Sequence, residues 1–436
     1  MRTIFHEQRK TGRLDLEAVE MALRSALHRA GAGALSQLLQ WSPPAAGERT
    51  LPCPCGQQAD YKELRAKTIL TVVGLATVKR PYYLCDHCGE GQFPVDQELD
   101  VAEVEVSPGV RRMMAVVSSE SAFEQGRQHL ELLADLKVTT KAVERHAEQI
   151  GADIEAREQA EIQRSQQLQL PLPIGPPIPM LYIQMDATGV PVVGKERVGR
   201  VGKTDGQPAR SRDVKLGCVF TQTYVDEEGR PMRDEASTSY TGAIETAEVF
   251  GRRLYLEASR RGWHRAVHKV VMGDGAVWIW NLAQEYFPGA ICIVDLYHAR
   301  KHLHDLSKLL FPDDAAARQS WLIQQQDLLD DGQIESLVTA LRLLIPEHPK
   351  LEDQLGTEAD YFQTNAERMR YPKFRSQGLF VCSGVIEAGC KTAIGSRLKK
   401  SGMFWTVNGA NKIIALRCTL LSGRFEDYWE TRARAA

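Results

Sequence analysis

The chain has 436 residues, of which 43% are hydrophobic and 25% are charged, a composition typical of a globular protein with two or three domains. No apolar run approaches the roughly 20 residues that cross a bilayer, and the N-terminal residues lack the apolar centre of a secretory signal. These features exclude a membrane-bound protein and predict a cytoplasmic location. The formal net charge of −2 argues against a uniformly basic nucleic-acid-binding protein.

The first fifty residues predict a small helical segment, 1–50. Leu16, Val19 and Leu23 recur at helical spacing, and Pro43 and Pro44 cannot continue a helix.

Two cysteine pairs follow in residues 51–98. They bracket a predicted β-hairpin, with Cys53 and Cys55 before it and Cys85 and Cys88 after it. Because disulfides are rare in a reducing compartment, this spacing predicts a tetrahedral structural Zn²⁺ site in a zinc-ribbon-like module. Unpaired surface thiols are the alternative, and His87 could replace one cysteine. A site with four protein ligands would stabilise the module rather than catalyse a reaction.

Residues 99–165 have a helical pattern, and 125–150 resemble a helix-turn-helix. Lys141 and Arg145 would face outward on the second helix, where a recognition helix contacts DNA. A packed helical hairpin without DNA contacts is the alternative. Residues 166–180 contain five prolines and a glycine, which predicts an extended linker.

The remaining chain predicts an α/β domain with an RNase H-like fold. Residues 181–298 have the element order β-β-β-α-β-α-β-α, which is that of the RNase H-like fold. Residues 299–378 are leucine-rich without a strand pattern and predict an all-helical insertion. Residues 379–436 would complete the catalytic domain.

Three acidic residues are the candidate catalytic groups. Asp186 and Asp274 are predicted at the ends of apolar strands, each followed by a turn of small residues, and Glu387 near the start of a helix. Converging carboxylates of this kind bind two Mg²⁺ ions roughly 4 Å apart, which promote phosphodiester cleavage. Ordinary turn residues, helix caps and a helix-start glutamate are the alternatives.

Long blocks of the sequence resemble bacterial insertion-sequence transposases of the Kra group, which are DDE enzymes related to the Mutator lineage. These blocks are QMDATGVPV, GDGAVWIWNLA, VDLYHARKHL, SGVIEAGCKTAIGSRLKKSGMFWTVNGAN and GRFEDYWE. The resemblance covers the chain from the first cysteine pair to the C-terminus. It implies that Asp186, Asp274 and Glu387 form the acidic triad, and the spacing of 113 positions between the last two (387 − 274) fits the family's helical insertion.

The resemblance also implies cofactors and partners. The cofactors would be two Mg²⁺ or Mn²⁺ ions per active site, and the partner double-stranded DNA, both the terminal inverted repeats and the target. Pairing two ends implies a homodimer or a higher assembly, and the protein would be nucleoid-associated. In related enzymes a Cys- or Asp-x-x-His motif follows the second aspartate, here Asp295 to His298, where His298 would contact phosphate or orient a carboxylate. A helix cap followed by a packed imidazole is the alternative.

A basic stretch follows Glu387. Residues 388–425 contain seven basic residues and no acidic one, which predicts a local cationic surface. The DNA-binding candidates in it are Lys391, Arg397, Lys399, Lys400 and Trp405. The lysines and the arginine would neutralise phosphates, and Trp405 would stack on an unpaired base. A solvated charged face and a tryptophan packed in the core are the alternatives.

The sequence therefore favours a transposase that cleaves and joins DNA strands at insertion-sequence ends. An inactive DNA-binding protein derived from such an enzyme, and an RNase H-like nuclease or resolvase without strand transfer, are the alternative hypotheses.

Overall fold

A computed structural model describes residues 9–10, 13–167, 169, 174–200 and 209–435. The chain divides into two compact units, which are Met1–Ile150 with Glu426–Ala436, and Gly151–Phe425. Five residues of the predicted linker, 168 and 170–173, lie outside the described residues.

The N-terminal unit contains a four-stranded antiparallel sheet in the order β3-β4-β5-β6. Its strands are β3 (Thr50–Pro52), β4 (Gln58–Thr71), β5 (Gly74–Leu84) and β6 (Gly91–Gln92), and the short strands β1 (Arg9–Lys10) and β2 (Arg13–Leu14) form a separate hairpin. The long β4–β5 hairpin turns at Gly74, whose φ of +104° strains any residue with a side chain. Ile69 and Val78 bury one face of this hairpin against Val101.

Helices make up the rest of this unit. Four lie wholly within it: Leu16–Leu38, Pro94–Glu98, Pro108–Glu120 and Phe123–Ala134. The unit also includes the helix Thr140–Gln166 up to Ile150 and the helix Phe425–Ala435 except for its first residue. Ser107 caps the helix Pro108–Glu120 by accepting a hydrogen bond from the Val110 amide, with Pro108 in the first turn. Asp135, in the left-handed conformation, ends the next helix. The core of this region consists of apolar side chains from three helices and from the loop between the second and third of them: Val110, Met114, Leu130, Leu136 and Val143.

The second unit is built on a mixed five-stranded sheet in the order β11-β8-β7-β12-β13. Its strands are β7 (Ile178–Pro191), β8 (Ser211–Gln222), β11 (Ser239–Ala243), β12 (Ala266–Gly273) and β13 (Ile291–Val294), and β9 (Tyr224–Val225) pairs with β10 (Pro231–Met232) in a separate hairpin. β8 and β11 are antiparallel to their neighbours, whereas β12 is parallel to both β7 and β13. The order of strands and helices along this part of the chain is the one predicted from the sequence.

Helices follow the third, fourth and fifth strands of this sheet, namely Ala247–Arg260, Val277–Tyr286 and Leu296–Leu310. Gly217 in β8 allows the first of them to lie close to the sheet, since a Cβ there would be 2.6 Å from Leu254 Cδ1.

A helical region follows β13, as the sequence predicts for residues 299–378. Beyond Leu296–Leu310 it contains the helices Ala315–Asp330, Ile334–Leu343, Glu352–Thr364 and Tyr371–Ser376. The chain then returns to the sheet with the helix Gly384–Gly389, a π-helical turn Cys390–Gly395, the short helix Ser396–Leu398 and the helix Val407–Leu421. Within the described ranges of the chain, no helix combines the length and the apolarity needed to cross a bilayer.

Candidate active site and metal centre

Three aspartates lie at the same level of three neighbouring parallel strands. The last residues paired between β7 and β12 are Gln184 and Met272. Asp186 lies two residues beyond Gln184, and Asp274 lies two residues beyond Met272. Asp274 and Asp295 each lie one residue beyond the last pair between β12 and β13, and the Asp295 amide donates to the Gly273 carbonyl over 2.8 Å. The parallel register alone therefore brings these residues to one edge of the sheet.

Asp186 lies within β7 and not at its end. The strand continues to Pro191, and Asp186 pairs with Leu216 of β8, so the predicted turn after Asp186 is wrong. The carboxylate is half-buried, and its Oδ2 accepts a hydrogen bond from Cys390 Sγ at 3.3 Å. Burial raises the pKa of Asp186, and the charge of Asp274 raises it further.

Asp274 directly follows β12, as predicted, and begins a tight turn. Gly275 has a φ of +99°, and Asp274 Oδ1 accepts a hydrogen bond from the Ala276 amide at 2.9 Å. The Tyr361 hydroxyl donates to the Asp274 backbone carbonyl at 3.0 Å, and a Cβ at Gly275 would lie 2.5 Å from the Tyr361 ring. Tyr361 comes from the helical region, and no local sequence pattern indicated this contact.

Glu387 lies on the exposed side of the helix Gly384–Gly389, which packs against β7 and β8. Gln184 contacts the start of this helix, since its Oε1 accepts a hydrogen bond from the Ile386 amide at 3.0 Å. The structure thus brings the Glu387 helix to the strand that carries Asp186.

The three carboxylates do not form a closed set of metal ligands. Among the described residues, only the four N-terminal cysteines form a group of three or more His, Cys, Asp or Glu ligand atoms within 4.8 Å of one another. Asp186 and Asp274 are neighbours that interact through their charges, and Glu387 remains outside this pair.

Asp295 is a buried helix cap. Its Oδ1 accepts a hydrogen bond from the His298 amide at 2.6 Å at the start of Leu296–Leu310, and its Oδ2 accepts one from the Ser383 amide. The imidazole of His298 lies close enough to Asp186 for a positive charge on it to favour the carboxylate. It also packs edge to face against His302, with ring centroids 5.2 Å apart.

The basic stretch divides into surface and core residues. Lys391 and Lys399 are exposed, Lys400 is half-buried, and Lys399 Nζ donates a hydrogen bond to Thr188 Oγ1 on β7, two residues beyond Asp186.

Arg397 and Trp405 are buried, which does not fit the predicted contacts with phosphate and with an unpaired base. The Arg397 guanidinium lies 5.1 Å from the centroid of the Trp405 ring, and Trp405 Nε1 donates to the Leu398 carbonyl at 3.1 Å. This arrangement matches the alternative of a packed tryptophan. Sequence alone could not separate these two residues from the exposed lysines, because the helical turns that bury them are set by tertiary packing.

The four predicted zinc ligands converge at one end of the β4–β5 hairpin. Cys53 Sγ lies 3.5 Å from Cys88 Sγ, and Cys55 Sγ lies 3.7 Å from Cys85 Sγ. Each pair lies in a tight turn closed by a glycine amide, with Gly56 donating to the Cys53 carbonyl and Gly89 to that of Cys85. His87 is exposed and is not part of the group.

Thiols of this cluster shift one another's pKa values in opposite directions. Hydrogen bonds from the amides of Cys88 and His87 lower the pKa of Cys85 to about 7, although burial opposes them. The Cys55 amide acts to lower the pKa of Cys53, but burial and the neighbouring thiols outweigh it and raise that pKa to about 12. Four sulfurs at this spacing fit a structural Zn²⁺ ion, which binds thiolates and would relieve the competition for protons among them.

The predicted helix-turn-helix region is a helical hairpin formed by Phe123–Ala134 and the start of Thr140–Gln166. Lys141 and Arg145 are both exposed, as the prediction requires, and Lys141 pairs with Glu144 at 3.0 Å.

This chain is similar to known proteins in both sequence and structure comparisons, at low levels of identity. No family model matches the chain. The "UPF0236 protein in vanSb 3'region" of Streptococcus gallolyticus is 24% identical over 357 residues, covering 78% of this chain and 70% of that protein. A chain of the "Drosophila P element transposase strand transfer complex" is similar over 73% of this chain and 80% of its own length, with 11% sequence identity and a TM-score of 0.25. A TM-score this low does not establish a common fold.

Proposed function

We propose that this chain is a DDE transposase that cleaves DNA at insertion-sequence ends and joins the ends to target DNA, with Asp186, Asp274 and Glu387 as its acidic triad. The observation that carries the proposal is the position of Asp186 and Asp274 at one level of the adjacent parallel strands β7 and β12. The Glu387 helix packs against β7 as well. The sequence blocks that resemble Kra-group transposases contain all three residues.

The fold of the second unit supports an RNase H-like assignment. Its strands follow the order three-two-one-four-five, with only the second strand antiparallel to both neighbours. Asp186 is on the first strand and Asp274 follows the fourth, which are the positions of the carboxylates in that fold. The helices between β13 and the Glu387 helix would be the insertion that the resemblance implies.

The residues present fit a pair of divalent cations. Asp186 and Asp274 are half-buried neighbouring carboxylates, and their mutual repulsion contributes to the raised pKa of Asp186. Two bound Mg²⁺ or Mn²⁺ ions would supply an activated nucleophile, a stabilised leaving oxygen and neutralised phosphate charge. Glu387 is exposed, and its carboxylate, if turned towards the two aspartates, would complete the ligand set.

Other surfaces would hold the DNA. Lys399 reaches Thr188, two residues beyond Asp186, and with Lys391 and Lys400 it would bind phosphates next to the scissile bond. In the N-terminal unit, Lys141 and Arg145 on the helical hairpin would contact the element ends, and zinc would stabilise the adjoining sheet. Because two ends must be paired, we expect at least a homodimer during the reaction.

The decisive experiment is a cleavage and strand-transfer assay with the full chain, labelled duplexes carrying candidate element ends, a target plasmid, and Mg²⁺ or Mn²⁺. We expect metal-dependent nicks and joined products. Asp186→Asn, Asp274→Asn and Glu387→Gln should each abolish both products while DNA binding stays nearly unchanged, because each removes a metal-binding charge with little change in packing.

The same assay distinguishes the alternatives. Cleavage without joined products would indicate a nuclease or resolvase, and binding without cleavage would indicate an inactive DNA-binding protein. Variants that fail to fold would instead assign structural roles to the three acids.

A further inference from the structure

The segment that leads to Glu387 lies across the sheet without pairing as a strand. Residues 378–386 are here called the anchored segment. Their backbone is hydrogen-bonded to side chains of the sheet region and to one backbone amide beyond β13. Gln222 Nε2 donates to the Gly378 carbonyl at 3.0 Å, and Tyr182 Oη accepts a hydrogen bond from the Phe380 amide at 3.3 Å. The Leu296 amide donates to the Val381 carbonyl, and Asp295 accepts a hydrogen bond from the Ser383 amide. Polar side chains therefore fix this segment where a strand ladder is absent.

Gln184 provides the last of these anchors before Glu387. Its side chain is fully buried in the central strand β7, where an amide group is costly unless it is hydrogen-bonded. Oε1 accepts from the Ile386 amide at 3.0 Å, and Nε2 lies 3.5 Å from the Cys382 carbonyl. Both polar atoms of the side-chain amide thus contact the anchored segment, and Nε2 also lies 3.3 Å from Met272 Sδ on β12.

The same residue is linked to the first aspartate. Gln184 precedes Asp186 by two residues on one strand, so both side chains point to the same face of the sheet. Ile386 directly precedes Glu387. One side chain therefore connects the backbone that carries Asp186 with the backbone that carries Glu387.

We propose that Gln184 is a positioning residue, which fixes Glu387 relative to Asp186 and thereby sets the affinity of the three acidic residues for divalent cations. The inference rests on the proposed function. The helix itself does not depend on Gln184, because the Ile386 amide also lies 3.0 Å from the Ser383 carbonyl within the first turn. Removal of the Gln184 amide should therefore loosen the placement of Glu387 without unwinding its helix.

The test is a Mn²⁺ titration of the zinc-loaded full chain without DNA, with free Mn²⁺ measured by electron paramagnetic resonance. Gln184→Met keeps the length of an unbranched side chain and removes its amide. We expect it to raise the Mn²⁺ Kd about tenfold, as loss of an outer-sphere partner does at other metal sites. Tyr182→Phe is the matched control, since it removes a buried hydrogen bond to the same segment at Phe380, seven residues before Glu387. It should change the Kd less than about twofold.

A double variant tests the route through Glu387. If Gln184 acts by placing that carboxylate, Gln184→Met should add no further loss of Mn²⁺ affinity in a Glu387→Gln background. Additive losses, or equal losses in Gln184→Met and Tyr182→Phe, would overturn the positioning role. Unchanged Mn²⁺ binding by Gln184→Met would overturn the positioning role too. If Asp186→Asn abolishes Mn²⁺ binding in that case, the proposed function survives. Equal binding by the wild-type chain and Asp186→Asn would overturn both.

Discussion

Arg397 and Lys399 show how neighbouring basic residues take different roles. Arg397 is buried against Trp405, whereas the ammonium group of Lys399 lies at the surface beside Thr188. Both belong to a stretch without acidic residues, and sequence alone treats them as equivalent. The lysines, and not the buried Arg397, would neutralise phosphates in the proposed complex with DNA.

This difference predicts how DNA binding depends on salt. Lys399→Gln combined with Lys400→Gln should reduce the slope of log K against log salt by up to about two counterions, because each phosphate contact releases roughly one. Fluorescence anisotropy with a labelled duplex measures the slope. Arg397→Met serves as the control: it should leave the slope unchanged and lower the melting temperature, since it removes a buried cation from its aromatic partner. A slope unaffected by the lysine changes would place both lysines away from DNA.

The candidate catalytic residues could be chosen from the sequence, but the contacts that hold them could not. Asp186, Asp274 and Glu387 stand in long motifs that resemble one family. Gln184 and Tyr361 hold groups about two hundred and about ninety residues away along the chain, and no local periodicity marks them. Contacts of this kind depend on how the strands and helices pack together.

At the scale of elements, sequence patterns predicted the order of strands and helices better than where each one ends. The small residues after Asp186 were interpreted as a turn, yet β7 continues through Gly189 because its pairing with β8 extends to Pro191. The same signal after Asp274 was correct, since β12 has no pairing partner beyond Gly273. Pairing with a neighbouring strand therefore decides whether a small-residue sequence ends a strand.

The zinc module offers a test at this scale. Cys85→Ser should release the metal and unfold the cysteine-bearing end of the sheet β3–β6, because the apolar cluster there consists of Cys53 and Cys85 themselves with Ala59 and Tyr83. Elemental analysis and far-ultraviolet circular dichroism measure the two effects. Cys292→Ser makes the same chemical change outside the cluster and should leave the zinc content unaltered. If Cys85→Ser keeps its full zinc content, the four cysteines do not form the zinc site.

The helical hairpin should respond to acid through Glu124. Hydrogen bonds from Arg127 and then Thr140 lower the pKa of Glu124 from its usual 4.5 to about 2, and the contact with Thr140 joins the two helices. A carboxylate with a lowered folded-state pKa stabilises the fold above its unfolded pKa and loses this effect as the pH falls from about 4.5 towards 2.

Thermal unfolding of the wild-type chain and Glu124→Gln should therefore differ at pH 6 and converge at pH 2. Glu124 is solvent-exposed, so 1 M salt should shrink the difference at pH 6. A difference independent of pH would show that the charge of Glu124 has no part in joining the helices.

At the scale of the whole molecule, the two units are not consecutive in sequence. The N-terminal unit includes the helix from Glu426 onward, although residues 151–425 form the other unit. Arg432 donates hydrogen bonds to both carboxylate oxygens of Asp100, at 3.0 and 3.1 Å, and Arg112 pairs with Glu426. The sequence analysis assigned residues 379–436 to one domain and did not predict that the chain from Glu426 onward belongs to the N-terminal unit. No sequence pattern marks a partner more than three hundred residues away.

A double-mutant cycle measures the contribution of the Asp100–Arg432 pair. Asp100→Ala and Arg432→Ala should each lower the free energy of unfolding, with a coupling of about 1 kcal/mol because the pair is bidentate and partly buried. Chemical denaturation of the four proteins gives the coupling. Lys62→Ala with Asp86→Ala, an exposed pair in the same unit, should show a smaller coupling. A coupling near zero for both pairs would show that the Asp100–Arg432 ion pair does not stabilise the attachment of the final helix.

The split of the N-terminal unit also sets the order in which the nascent chain can fold. Between residue 150 and residue 426 the ribosome adds the 275 residues of the other unit, which takes roughly 14 to 55 s at about 5 to 20 residues per second. During that interval the four-cysteine sheet and the helical hairpin lack the helix to which Asp100 binds. A chain whose translation stops before residue 426 would therefore carry an incomplete N-terminal unit.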